Sequence, residues 1–191
     1  MSSKEKEGTI RILFASAEAE PFYKVGGLGD YSGSLPNALD GLITTKNRMV
    51  EVRVVLPLHD PKTIERYSLR ELFPFSLKTN NGALNGRVLF TRYNKITFYF
   101  IQQEHPKIES AEVYIPNEYK NSLKYAFFSL ACIKMLEILD WQPDIIHAND
   151  WHSALIIHQI KGLDIRNSHG KKIQTLLVIH NMPFMGFGSE E

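Results

Sequence analysis

Ile12-Leu13-Phe14-Ala15 is an unbroken apolar run of the kind expected for a strand buried on both faces of a parallel sheet. Such a strand needs parallel neighbours and helices to cover it, and the rest of the chain supplies both. A glycine-rich turn, Gly26 to Gly29, leads into a helical stretch ending near Leu42; Pro36 within it implies a late start or a kink. Val52-Arg53-Val54-Val55-Leu56 reads as a second β-branched strand, stopped by Pro57. Ile96 to Ile101 alternates and pairs with Arg87 to Tyr93 across a turn at Asn94-Lys95, an antiparallel hairpin insertion. Between Tyr125 and Leu139 only Ser129, Lys134 and Glu137 break the apolar character, which marks a deeply buried helix ended by Trp141-Gln142-Pro143. A strand over Asp144 to Ala148, a helix over Trp151 to Lys161 and a buried strand over Gln174 to Ile179 complete the alternation.

Strand-helix alternation with right-handed crossovers gives an open, doubly wound, mostly parallel α/β sheet of Rossmann-like type. With 191 residues there is material for one domain, expected over residues 9–191 behind a disordered tail of residues 1–8. Ligands of such sheets bind beyond the carboxyl ends of the strands. Three segments fall there: Lys24 to Asp30, His147 to His152 and His180 to Gly186.

The charge balance excludes several classes of partner. Twenty-two Lys and Arg against 21 Asp and Glu leave a net +1, which gives no global attraction to nucleic acid or an anionic membrane. Cys132 is the single cysteine, so no intrachain disulfide or cysteine metal cluster forms, and its apolar neighbours read it as a small buried hydrophobe. Met1 to Gly8 mixes Lys and Glu without an apolar core, unlike a signal or transit peptide, and no apolar run reaches the ~18 residues of a membrane span. The cytoplasm is the expected compartment.

Each of the three segments carries chemistry beside a plainer reading. In Lys24-Val25-Gly26-Gly27-Leu28-Gly29-Asp30 the glycines open a helix, where free amides and the dipole favour an anion and Lys24 adds a point charge. The third position of the dinucleotide fingerprint is Ser32, not glycine, and no Walker A lysine follows. A tight turn with a solvated lysine remains open. In His147-Ala148-Asn149-Asp150-Trp151-His152, the two histidines and Asp150 could ligate a metal, but no second ligand cluster supports it. The plainer alternative has Asp150 or Asn149 as helix N-cap and Trp151 in the core. His180 follows a strand, where a lone histidine is more often a structural hydrogen-bonder. His59, His105, His158 and His169 lie outside these segments and read as surface or packing residues.

Ser16 to Asp30, continued by Ser34-Leu35-Pro36-Asn37-Ala38-Leu39, resembles the opening of bacterial glycogen synthases and plant starch synthases. Pro143 to His152 is similar to their Pro-Asp-Val-Val-His-Ala-His-Asp-Trp-His, with Asn149 in place of a histidine. Val178 to Gly186 is similar to their Thr-Val-His-Asn-Leu-Ala-Tyr-Gln-Gly: His180, Asn181 and Gly186 match, while Met182, Pro183, Phe184 and Met185 depart. The resemblance spans Ile10 to Gly186, apart from a divergent middle over Lys62 to Pro116.

That resemblance implies half of a two-domain GT-B glycosyltransferase that moves glucose from ADP-glucose, or UDP-glucose, to the non-reducing end of an α-1,4-glucan with retention. It implies no metal and no cofactor beyond the sugar nucleotide. Lys24 with the Gly26 and Gly27 backbone is expected at the donor phosphates, Asp150 in the sugar and acceptor region, and His180 with Asn181 beside the transferred glucose. The family's C-terminal nucleotide-binding domain is the expected missing partner, so the chain reads as a fragment, inactive alone. Two rivals stand: a sugar-nucleotide epimerase on the same fold, and a non-catalytic glucan- or nucleotide-binding module.

Overall fold

The structure is a computed structural model and describes residues 8–80, 82–104, 110–167, 169–182 and 186. The N-terminal tail up to residue 7, His105, and Pro183 to Met185 lie outside the described residues. The elements run β1 (Ile10–Ala15), α1 (Gly27–Leu39), β2 (Val50–Pro57), α2 (Lys62–Arg66), β3 (Arg70–Thr79), β4 (Gly82–Tyr93), β5 (Ile96–Gln103), α3 (Glu118–Ile138), β6 (Ile145–Asn149), α4 (Trp151–Gly162) and β7 (Gln174–Val178).

One seven-stranded sheet has the order β3-β4-β5-β2-β1-β6-β7. β5, β2, β1, β6 and β7 are mutually parallel, while β4 runs antiparallel to both β5 and β3. The expected hairpin is therefore real but belongs to the main sheet, its second strand pairing with β2 through Arg53↔Thr97 to Pro57↔Ile101. β1 is the middle one of the five parallel strands, with Leu13, Phe14 and Ala15 fully buried. From β1 the chain first builds outward through β2 and β5, then returns by α3 to place β6 on the other side. The topological switch point is thus between β1 and β6, where ligands of open α/β sheets bind.

Several expectations need correction. α1 starts at Gly27 and runs through Pro36 to Leu39, so the proline does not delay the helix. α3 begins seven residues before the expected Tyr125, at Glu118, because Asn117 caps it by accepting from the Lys120 amide. Strand β7 is not buried: it is the sheet edge, and Leu176 and Leu177, which face opposite sides, are 48% and 41% exposed. Its apolar composition signals a buried strand, yet α4 touches it without covering it, and most of its residues stay exposed. Cys132 is fully buried in α3, where desolvation pushes its thiol pKa well up, in keeping with a small hydrophobe.

The loop after β1 is pinned before it reaches the glycine turn. Phe22 packs edge-on against Phe100 and Tyr67 at ring distances of 5.0 and 4.6 Å. The Tyr23 hydroxyl donates to Thr63 and accepts from the His59 amide. His59 is itself buried, with Nε2 donating to the Ala17 carbonyl.

On the far side, α3 clamps the antiparallel wing. Phe127 of α3 stacks on Phe75 of β3 at 6.0 Å, and both press on Gly86 of β4. A Cβ at Gly86 would lie 2.6 Å from Phe75 Cζ and 2.6 Å from the Gln102 carbonyl oxygen. Gly86→Ala is therefore expected to destabilise the fold by about 1–3 kcal/mol, as overpacking does. Urea titration measures this, and an unchanged midpoint would show that α3 does not hold the wing.

Candidate active site

Glu18 organises the glycine turn. Its carboxylate, 1% exposed, accepts from the Val25 amide at 2.5 Å and the Gly26 amide at 3.2 Å through Oε2. Its other oxygen, Oε1, accepts from the Tyr114 hydroxyl at 2.6 Å. Burial and this contact with Glu18 drive the Tyr114 pKa far up, so the phenol stays a donor. The next two amides, Gly27 and Leu28, open α1 and take no partner among the described residues.

The three glycines divide into two kinds. A Cβ on Gly29 would come within 3.0 Å of Glu18 Oε2 and 3.1 Å of Lys24 Cα, so Gly29 sits in a tight place inside the protein. A Cβ on Gly26 or Gly27 would meet nothing within 4 Å. Gly26 has φ −143°, extended backbone open to any residue. No intramolecular contact demands a glycine at either position; the space their missing side chains leave opens on the site.

The second segment ends β6 and starts α4. Asn149 is fully buried; its Nδ2 donates to the Ala15 carbonyl of β1 at 3.0 Å, and its Oδ1 lies 3.1 Å from His180 Nε2. With Oδ1 as acceptor, Nε2 carries the imidazole proton. Asp150 occupies the N-cap position but makes no side-chain cap. Its carboxylate instead reaches across the strand ends and accepts from the His180 amide at 2.7 Å. Asp150 has φ +54°, a left-handed conformation that costs on the order of 1 kcal/mol or more outside glycine. The His147 ring lies 4.6 Å from that of Phe14, and burial lowers its pKa, aided by the nearby His180.

These segments meet around one cavity of 830 Å³. Gly26, Gly27, Asp150, His180 and Asn181 all line it, as do Glu18, Tyr114 and Trp151. Lys24 does not: its ammonium, on the flank of the turn, pairs with Asp30 at 2.5 Å and Glu20 at 3.6 Å. Asp30 first, then Glu20, raise its pKa. His147, Asp150 and His152 form no metal-binding group, and none exists among the described residues. The sequence reading missed Glu18, Tyr114 and Asn149. Glu18 stood inside a recognised motif without an assigned role, and the position of Tyr114 depends on a 96-residue chain separation that no local pattern reveals.

A second group of titratable side chains runs inward from the cavity wall, which His152 itself lines. His152 is buried, its ring 4.5 Å from Tyr125 and 4.2 Å from Trp151, with Nδ1 unpaired. Burial and the charge of Lys124 depress its pKa to about 3, and the same two causes depress His59 to about 3. Lys124 is buried as well; its pKa falls to about 8, and its ammonium donates to the Glu112 and Val113 carbonyls.

Comparison with known proteins adds the following. A model of the starch synthase catalytic domain family matches residues 11–191. The chain is 31% identical over 180 residues to the glycogen synthase of Lacticaseibacillus casei (strain BL23), covering 93% of the chain and 36% of that relative. It is 36% identical over 179 residues to the glycogen synthase of Clostridium beijerinckii, with the same coverage. The chain thus spans about a third of the length of these relatives. Among solved structures, the catalytic domain of starch synthase IV from Arabidopsis thaliana, bound to ADP and acarbose, superposes with a TM-score of 0.72. That match, at 24% identity, covers 92% of this chain and 34% of the other, and it bears on the fold.

His59 and His152, the buried histidines whose pKa values fall to about 3, set an acid limit to stability. Between pH 6.5 and about 3 the unfolded chain takes up protons at these positions that the folded chain refuses. Because the unfolded state binds more protons there, stability falls as pH falls, by about 1.4 kcal/mol per pH unit for each histidine. Urea melts at pH 6 and pH 5, above the range where carboxylates titrate, are expected to differ by about 2–3 kcal/mol. His152→Phe, which keeps a ring between Tyr125 and Trp151, is expected to remove roughly half of that difference. An undiminished acid loss in the variant would show that His152 is not the group involved.

Proposed function

The chain belongs to the starch synthase catalytic domain family, and on that premise we propose that it forms one wall of the active cleft of a retaining glucosyltransferase. The reaction moves glucose from ADP-glucose, or UDP-glucose, to the non-reducing end of an α-1,4-glucan in glycogen or starch synthesis. The reading requires no metal and no cofactor besides the sugar nucleotide, and its setting is the cytoplasm. No described helix is long and apolar enough to cross a membrane.

One observation carries this reading: Gly26 and Gly27 are free of any intramolecular need to be glycine, and the space they leave opens on the cavity. Beside it lie two unpartnered amides at the mouth of a thirteen-residue helix, the arrangement that receives phosphate. The leaving group of the transfer is a nucleoside diphosphate, so stabilisation is needed where phosphate charge develops. Gly27 and Leu28 supply it from the backbone. Lys24 supplies it from the flank by exchanging Asp30 and Glu20, both exposed partners, for the diphosphate. His180 and Asn181, across the cavity, meet the transferred glucose. Asp150 fixes the loop that carries them and faces the sugar. The family's second domain closes the other wall and holds most of the nucleotide.

The glycines give the test. In the full-length enzyme Gly27→Ala is expected to weaken ADP binding roughly 10- to 100-fold, about 1.4–2.8 kcal/mol, with an unchanged melting temperature. Gly29→Ala, by contrast, is expected to lower the melting temperature, because its Cβ would crowd Glu18 and the Lys24 backbone. Calorimetric titration with ADP beside thermal melts decides it; normal ADP binding by a folded Gly27→Ala enzyme overturns the assignment. Lys24→Ala is expected to reduce kcat/KM by an amount equivalent to about 2–4 kcal/mol. The isolated 191 residues are expected to elongate no glycogen from ADP-glucose, since orientation from the second wall is lost.

A further inference from the structure

We infer that Glu18 is a positioning residue for the donor diphosphate: its buried carboxylate sets the amides of the glycine turn so that those of Gly27 and Leu28 are presented to the cavity. This deepens the reading of the cleft as a sugar-nucleotide site and rests on it. The carboxylate has three partners, two consecutive backbone amides and a phenol. It caps α1 from outside the helix, since Gly26 at the N-cap position has no side chain to do so. Glu18 takes the amides of Val25 and Gly26, the two residues just before the helix, and leaves those of its first two residues, Gly27 and Leu28. Both Gly27 and Leu28 line the cavity.

The third glycine ties the motif to this carboxylate. Gly29 is the position where a Cβ would strike Glu18 Oε2 at 3.0 Å, so its missing side chain serves Glu18, whereas those of Gly26 and Gly27 serve the ligand. Tyr114, which also lines the cavity, locks the arrangement through Glu18 Oε1. It stands on the segment before α3, which Lys124 and Tyr125 hold by donating to the Glu112 and Val113 carbonyls. The turn is thereby held between elements far apart in the chain before any ligand arrives. A preset donor array loses less ordering entropy on binding.

A cap that only stabilised the fold would affect melting and leave ligand affinity alone. A negative charge that mattered only by its field would repel the diphosphate, and its removal would tighten binding. The two alternatives and the positioning role are separated by comparing Glu18→Ala with Glu18→Gln in the full-length enzyme, with ADP as probe. Calorimetry reads the Kd, and hydrogen–deuterium exchange reads the turn without ligand.

For Glu18→Ala, the ADP Kd is expected to rise roughly tenfold, and the Val25 and Gly26 amides to exchange faster. Glu18→Gln keeps one acceptor oxygen for those amides, so its Kd is expected to stay within about threefold of the parent. Should the alanine variant fail to fold, Tyr114→Phe removes only the contact to Oε1 and is expected to raise the Kd about two- to fourfold. Faster exchange with an unchanged Kd overturns the inference and leaves Glu18 a structural cap. Tighter ADP binding in both variants overturns it in favour of simple repulsion. A parent enzyme that binds no ADP overturns the donor-site reading itself, and this inference with it, an outcome visible before any substitution is made.

Discussion

Everything at the site depends on β1 being paired on both sides by parallel strands. Its last residues are fully buried, so its ends cannot fray into solvent, and the loop that follows starts from a fixed point. The register carries this outward: Ala15 pairs with Val55 on one side and with Ala148 on the other. Asn149, one residue further along β6, then donates its side-chain amide back to the Ala15 carbonyl. That bond occupies an acceptor at the end of the central strand and welds together the two strands flanking the switch point. Loops placed on such strand ends inherit the rigidity of the sheet, as positioning to fractions of an ångström requires.

The charges around the cleft are arranged so that few buried ions must coexist. Lys124 is a buried cation whose burial costs enough to bring its pKa to about 8, and its hydrogen-bond partners are carbonyls. His59 and His152 would add further positive charge in the same region; burial and Lys124 keep both neutral. On the cleft side, Glu18 and Asp150 are buried carboxylates, each satisfied by hydrogen bonds: Glu18 accepts from two amides and a phenol, Asp150 from the His180 amide. Lys124 and Glu18 meet through one short segment: Lys124 and Tyr125 anchor Val113, and Tyr114 beside it touches Glu18. A buried cation on α3 therefore contributes to the geometry of a turn following β1.

The sequence pattern disclosed the alternation of parallel strands and helices, because buried strands such as Ile12 to Ala15 cannot be read as anything that faces water. It disclosed the three loops for a related reason: Gly, His and Asp cluster where regular structure stops. The start of α3 was hidden, since Glu118 to Lys124 is polar and only the Asn117 cap marks it. β3 was hidden because a strand containing Pro74, with mostly exposed residues, lacks the signal of a buried one. β7 misled in the opposite direction: Leu176-Leu177-Val178 has the composition of a core strand at a sheet edge. Composition reports what a segment tolerates, while burial depends on what is placed over it. Within the site, Lys24 drew attention by its charge, yet its ammonium is held by Asp30 and Glu20 off the cavity wall. Glu18, silent as one carboxylate among many, organises the turn.

Asn149 shows how a departure from a resemblance can preserve a hydrogen-bonding pattern. The similar stretch in glycogen and starch synthases carries histidine where this chain has asparagine. The position must donate to the Ala15 carbonyl and accept from His180 Nε2. A carboxamide offers a donor and an acceptor on one planar group, and a neutral imidazole offers the same pair. The exchange therefore keeps the hydrogen-bonding pattern. It changes the electrostatics, because an imidazole there would add a third titratable ring beside His147 and His180, two rings that already interact. Asparagine cannot take up a proton, so the acceptor facing His180 Nε2 is the same at every pH. The tautomer of the histidine facing the cavity is thus fixed by a neighbour that does not titrate.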